Sequence, residues 1–333
     1  MSELRRDPIV GRWIIVDTEH PSKPEDFEHE PHTWRGGTCP FCYGNESLTP
    51  PEIDSIRDPH TRPNTPGWQV RVVSNKFPAL QIEGELDRRG MGIYDMSNGV
   101  GAHEVLIDSP YHHKDIPDLL NEEIENIISM LCRRAIDLIK DKRFKYIMVF
   151  KNYGPAAGAS LEHPHTQIIA LPMVPKNVLE EIKGSQDYFE YRERCIFCDM
   201  LRQEAQDKER IILENKYFIA FCPFVSRFPF EIWIIPKRHN GYFCHMPHEE
   251  IPALATILKD TVSKVKNIFA SPAYNFIIHS SPVNGDIGTG IDYYHWHIEF
   301  MPKLTRVAGF EWGSGFYVIP TSPELAAKYL REK

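Results

Sequence analysis

Two cysteine pairs and two histidine steps carry most of the chemistry that can be read from this chain. Cys39-Pro40-Phe41-Cys42 and Cys195-Ile196-Phe197-Cys198 each have the spacing that lets two thiolates reach one ion. Histidines follow each pair at parallel positions: His112 and His163 after the first, His239 and His295 after the second. A tetrahedral zinc takes four such ligands. The sets Cys39, Cys42, His112, His163 and Cys195, Cys198, His239, His295 therefore predict two zinc sites per chain. With four protein ligands a site is closed to water and substrate, so a structural role is expected for both ions. One Cys-x-x-Cys alone also fits a redox pair or two packed cysteines; its repetition with matched histidines favours metal. Cys132, Cys222 and Cys244 read as small apolar packing groups.

The second candidate is His163-Pro164-His165-Thr166-Gln167, which follows a loop of small residues, Asn152 to Ser160. In extended backbone His163, His165 and Gln167 share a face. A metal on His163 would fix the strand and present His165 beside it. A loop of small residues lets backbone and hydroxyl donors approach a phosphate. A neutral imidazole can attack phosphorus and carry it as a phosphoramidate. The spacing is equally compatible with two metal-binding histidines, or with one that is simply a satisfied structural residue.

The elements that must position these groups come in two similar series. In the first, Cys39 to Cys42 is followed by β-rich runs at 68–80 and 104–112, a helical period over 117–141, a strand at 146–150 and the His163 step. In the second, Cys195 to Cys198 is followed by runs at 215–221 and 231–239, a helical period over 248–269, a strand at 274–278 and His295-Trp296-His297. Glu104 precedes His112 by the interval that separates Glu231 from His239, which selects His112 over His113. Asn75-Lys76 and Asn215-Lys216 also correspond. The expected fold class is α+β, with tandem half-domains that each pair an antiparallel sheet with a long helix. The expected boundaries are an N-terminal catalytic half-domain (1–172), a linker (173–194) with helical character at Lys176 to Glu181, and a C-terminal half-domain (195–333).

A length of 333 residues suits two such domains. The net charge of −8 argues against a general nucleic-acid binder. No stretch approaches a membrane span and the N-terminus lacks an apolar leader core, so a cytoplasmic location is expected.

On these residues the chain resembles the galactose-1-phosphate uridylyltransferase branch of the histidine-triad superfamily. The resemblance runs from Asp7-Pro8-Ile9-Val10-Gly11-Arg12-Trp13 through Cys39 to Cys42, Asn75 to Leu80, Ser109-Pro110-Tyr111-His112 and Asn152 to Gln167, to Gly309-Phe310-Glu311 and Pro323 to Ala327. It implies two histidine-triad-like half-domains and a homodimer. It also implies a ping-pong reaction that moves a nucleoside monophosphate from a nucleotide-sugar to His165 and on to a sugar 1-phosphate. It assigns His163 as a zinc ligand and Gln167 to the phosphoryl oxygens. Asn152 and Ser160 would contact phosphate, Asn75 the nucleoside, and Gly309, Phe310 and Glu311 the sugar site, often across the dimer.

The sequence departs from the familiar bacterial members in its second Cys-x-x-Cys, in Lys76 where they carry an acid, and in its tail, Gly313-Ser314-Gly315-Phe316-Tyr317-Val318. A plant branch that phosphorolyses ADP-glucose shares the double-zinc pattern and a tail of this type. Lys76 offers donors to a base rich in carbonyl oxygens, which leans the expectation toward uridine. His297 stands where the first half has His165, with Glu299 in place of Gln167 and a different upstream loop, Ser280 to Gly290. A carboxylate there would repel phosphate, so His297 is expected to be non-catalytic. The competing readings are a histidine-triad hydrolase and a zinc-stabilised binding module with an inactive site.

Overall fold

A computed structural model describes residues 1–27, 36–285 and 292–333. Part of the second-half loop named above, residues 286–290, lies outside the described residues. The first half supplies β1 (Glu3–Arg6), β2 (Trp13–Val16), β3 (Glu52–Arg57), β4 (Trp68–Ser74), β5 (Arg89–Met91), β6 (Tyr94–Met96), β7 (Ala102–Ile107), α1 (Asn121–Leu138), β8 (Tyr146–Tyr153) and β9 (His165–Leu171). Helices α2 (Lys176–Arg192) and α3 (Ile196–Asp207) follow. The second half supplies β10 (Ile211–Glu214), β11 (Phe218–Phe221), β12 (Ile232–Pro236), α4 (Ile251–Phe269), β13 (Tyr274–His279), β14 (His297–Pro302), α5 (Gly309–Ser314), β15 (Tyr317–Ile319) and α6 (Pro323–Arg331).

The α+β duplication is present. The two expected sheets, however, are joined into one ten-stranded antiparallel sheet, ordered β10-β11-β12-β14-β13-β8-β9-β7-β4-β3. The join is the β8–β13 ladder, in which Tyr153 faces Tyr274 and Val149 faces Ile278. Each half thus protects the other's inner edge strand, whose backbone groups would otherwise lack partners. α1 and α4 pack against each other and bury Ile124, Ile127, Ile128, Leu131 and Leu138 with Leu254, Leu258, Val262 and Val265 in the main core. These positions recur at three- and four-residue steps, which is why the helices were legible.

Several strands are shorter than their sequence runs. β4 ends at Ser74, before Pro78; the Asn75 amide makes a last bond to the His103 carbonyl at 2.8 Å. β11 starts at Phe218 because Asn215 Oδ1 accepts from the amides of Tyr217 (3.0 Å) and Phe218 (2.9 Å), a turn rather than a ladder. β12 stops at Pro236, which has no N–H to continue the ladder.

The segment expected as a linker forms a helix of 17 residues. Val178 and Ile182 of α2 join Ile196, Phe197 and Leu201 of α3, with Ile219, Phe221, Trp233 and Ile235 from the second half's strands. The sheet face opposite α1 and α4 is therefore plugged by helices in the second half. In the first half the same face carries a smaller cluster of Phe41, Trp68, Val73, Val105 and Ile107. β1, β2 and β15 form a small separate sheet that ties the chain's start to its tail.

Candidate active site

The Cys and His sets come together as expected. Cys42 Sγ lies 3.2 Å from His112 Nδ1 and 3.6 Å from His163 Nδ1, and Cys39 Sγ lies 3.6 Å from His163 Nδ1. Cys198 Sγ lies 3.4 Å from His239 Nδ1 and 3.7 Å from His295 Nδ1. In each set the four ligand atoms, Cys39 and Cys195 included, lie within 4.8 Å of one another. Tetrahedral zinc, with bonds of about 2.3 Å to sulfur and 2.0–2.1 Å to nitrogen, separates S from N by about 3.5 Å. Both sets fit such an ion. His163 Nε2 donates to the Ser109 carbonyl at 2.8 Å, which leaves the Nδ1 lone pair for metal. Burial pushes the His163 pKa down to about 4, keeping the ring neutral. Cys195 and Cys198 lie at the start of α3, so one helical turn sets their spacing.

His165 opens β9, opposite Ile107 of β7. It is buried, and its Nδ1 donates to the His163 carbonyl at 2.9 Å. That bond fixes the tautomer, so the lone pair sits on Nε2. Burial lowers the pKa below its usual value, so the ring stays neutral and nucleophilic near pH 7. Phe41, between the two cysteines, packs edge-on against His165 with centroids 5.4 Å apart. The metal set thus places both the backbone acceptor and one wall of the histidine.

Gln167 lies on the same face as His165, and its Oε1 is 2.9 Å from His103 Nε2. Asn75 Nδ2 is 3.1 Å from that same nitrogen. The residues assigned to nucleoside and phosphate therefore meet through a histidine that the sequence reading did not single out. Its only signal is a polar residue one alternation before Val105, the register partner of Gln167. Asn152, the last residue but one of β8, accepts from its register partner Asn275 through Nδ2 at 2.7 Å. Beyond it the loop turns at Gly154 (φ 80°) and Gly158 (φ 86°), conformations that side-chain-bearing residues rarely adopt. Ser160 is exposed in that loop, and Lys76 is exposed beyond Asn75.

On the helix side of the sheet, beneath His165, lies a buried ionic network. Lys151 pairs with Asp108 and lies 3.3 Å from Asp115; Thr166 Oγ1 donates to Asp108 at 2.9 Å. Tyr274 from the second half donates to Asp115 at 2.8 Å. These bonds fix the two strands that carry His165 and Asn152.

The second half holds a modified copy of the site. His297 is 1% exposed, with Nδ1 3.1 Å from the His295 carbonyl, as in the first half. Here the resemblance stops. His297 is stacked between His279 (4.6 Å) and Trp233 (4.8 Å). Glu181, reaching over from α2, lies 3.1 Å from His279 Nδ1, and Glu299 lies 3.2 Å from Nε2. Burial opposes charge on His279, but the two carboxylates prevail and raise its pKa to about 10. Glu181, His279 and His297 also lie close enough to share an ion. A His279 that faces a carboxylate at each nitrogen is protonated at both and has no lone pair for one. The sequence reading missed Glu181 and His279, which no motif marks.

The tail residues stand apart. Gly309, Phe310 and Glu311 belong to the exposed helix α5, beside β15. Glu311 accepts from the Ala308 amide at 3.0 Å, and Ser314 donates to the Phe310 carbonyl at 2.6 Å, so these bonds are internal to the segment. The single chain does not bring them to His165. No helix among the described residues is long and apolar enough to cross a membrane.

A duplicated α+β half with a strand-borne His-x-His step beside a Cys/His set fits a nucleotidyltransferase, the class that the comparisons support. Residues 181–320 match the family model described as galactose-1-phosphate uridyl transferase, C-terminal domain, and residues 96–174 match the N-terminal domain of a domain of unknown function, DUF4931. The chain is 36% identical to an ADP-glucose phosphorylase of Arabidopsis thaliana over 99% of its own length and 92% of the relative's. It is 30% identical to a galactose-1-phosphate uridylyltransferase of Thermotoga maritima over 100% and 98%. A crystal structure of an Arabidopsis thaliana ADP-glucose phosphorylase with bound ADP-glucose superposes with a TM-score of 0.84 at 35% identity, covering 100% of this chain and 99% of that one. The chain belongs to the galactose-1-phosphate uridylyltransferase family.

Proposed function

We propose that the protein transfers a nucleoside monophosphate by a ping-pong route through His165. The observation that carries this reading is the 2.9 Å bond from His165 Nδ1 to the His163 carbonyl, which leaves Nε2 as the unprotonated nitrogen. In the first step the Nε2 lone pair attacks the α-phosphorus of a nucleotide-sugar. The bond from phosphorus to the bridging oxygen breaks, and the sugar 1-phosphate leaves with that electron pair. The imidazolium charge that develops is held by the carbonyl on Nδ1–H. In the second step a phosphate oxygen of the acceptor attacks, the P–N bond breaks, and its electrons return to Nε2. Gln167 holds the phosphoryl oxygens as a neutral amide. Asn152 and Ser160 supply further phosphate contacts and Asn75 a nucleoside contact. The two Cys/His sets would hold zinc; closed by four protein ligands, the ion of the Cys39, Cys42, His112, His163 set would fix the strand that carries His165 rather than make bonds to substrate. A homodimer would bring Phe310 and Glu311 of α5 toward a sugar.

Two substrate pairs fit this chemistry: ADP-glucose with inorganic phosphate, and UDP-glucose with galactose 1-phosphate. Identity of 36% over nearly the whole chain favours the first. The leaning toward uridine rested on Lys76, which is exposed and bears less weight than the relationship does. Both pairs assayed side by side, with and without acceptor, test the reading. Turnover that requires the acceptor supports transfer. Equal release of nucleoside monophosphate without one supports a hydrolase.

A further inference from the structure

His103 is a polar residue on the site face of β7, two positions before Val105, which lies opposite Gln167. Its ring is tied at both nitrogens. The Ala79 amide donates to Nδ1 at 3.2 Å, so that nitrogen is an acceptor. The ring proton then sits on Nε2, which faces Gln167 Oε1 at 2.9 Å. The opposite tautomer would give Asn75 Nδ2, 3.1 Å from Nε2, an acceptor, but it would set two N–H groups against each other at Ala79 and two acceptors against each other at Gln167, so two of the three contacts favour the proton on Nε2. With Oε1 engaged, the amide NH2 of Gln167 is left as the end available to a phosphoryl oxygen.

The donor at Ala79 is itself held in place. Gln81 exchanges backbone bonds with Gly99 (3.0 Å) and Gly101 (2.8 Å). A Cβ on Gly101 would meet the Ala170 carbonyl oxygen at 2.5 Å and Leu80 Cδ1 at 2.6 Å, so only glycine allows this approach.

We propose that His103 is a positioning residue that orients the Gln167 amide toward the phosphoryl group carried by His165. The inference rests on His165 being the nucleophile and Gln167 its phosphate contact. His103 touches no reacting atom in this account; it acts by removing the amide's freedom to flip.

The test compares His103→Ala, His103→Gln, Gln167→Ala, the double variant His103→Ala/Gln167→Ala, and His165→Asn. ADP-glucose with inorganic phosphate is the probe, and UDP-glucose with galactose 1-phosphate the second pair. His103→Ala is expected to lower kcat on the order of 10–100-fold, the scale of losing a group that orients a reacting ligand, with a smaller change in donor KM. His103→Gln restores a donor at the Nε2 position and is expected to recover most of the loss. The double variant is expected to match Gln167→Ala within about 2-fold, because the two residues act as one unit. Full kcat in His103→Ala, or a double-variant loss equal to the product of the single losses, would overturn the proposal. Full activity in His165→Asn and Gln167→Ala would instead overturn the reading of the site beneath it.

Discussion

His165 donates from Nδ1 to the backbone carbonyl of His163, whose own side chain belongs to the Cys39, Cys42, His112 set. One residue thus holds the metal set with its ring and the proposed nucleophile with its backbone. Metal geometry and imidazole orientation are coupled through three consecutive residues.

The coupling has a direct consequence. His163→Ala is expected to lose about one metal per chain and most of the transfer activity together, since the carbonyl that orients His165 shifts with the strand. Metal analysis beside an activity assay checks this. A variant that loses its metal and keeps full kcat would separate the two.

The second metal set is expected to behave differently. Cys198→Ser should lose about one of about two metals and lower the Tm, because binding the ion is coupled to folding. Labelling of His165 should survive below the new Tm, because α3 packs in the second half. Loss of both metals from this single change would contradict separate sites.

Removing Lys151 should be costly although it touches no substrate. It is fully buried between Asp108 and Asp115. Lys151→Met leaves Asp108 buried without a cation and Asp115 with only Lys266, at 3.6 Å, which costs roughly 3–5 kcal/mol. Chemical denaturation measures it; a loss under about 1 kcal/mol would show that water reaches the pair.

The His279 cluster gives a pH dependence of definite sign. Its folded pKa is raised to about 10 from the ordinary histidine value of 6.5. The stabilisation is therefore complete below pH 6.5 and is lost as pH rises through about 10. Glu181→Gln removes the carboxylate that faces His279 Nδ1. The Tm gap between wild type and variant should be widest near pH 6 and narrow toward pH 10. A gap that widens with pH would mean that His279 is neutral in the folded protein.

The metal sets were legible because the Cys-x-x-Cys pair occurs in both halves, each time followed by histidines in the same order among the other elements. The helices were legible from their apolar period. The β8–β13 join was not, because alternation says which face of a strand is buried but not which distant strand pairs with it. Glu181 was hidden for a similar reason: it lies in a charged stretch, and only the packing of α2 carries it to His279. His103 falls just outside the β-run read at 104–112, and only the register of β7 against β9 brings it to Gln167.

The central claim is that His165 carries the nucleotide. Incubation with α-labelled ADP-glucose or UDP-glucose without acceptor, an alkaline quench and peptide mass spectrometry tests it most directly. The account predicts one nucleoside monophosphate on His165, stable in alkali, released by acid, and discharged by adding the acceptor phosphate. Label that persists in His165→Asn, or a wild-type enzyme that turns over with no labelled intermediate, would contradict it.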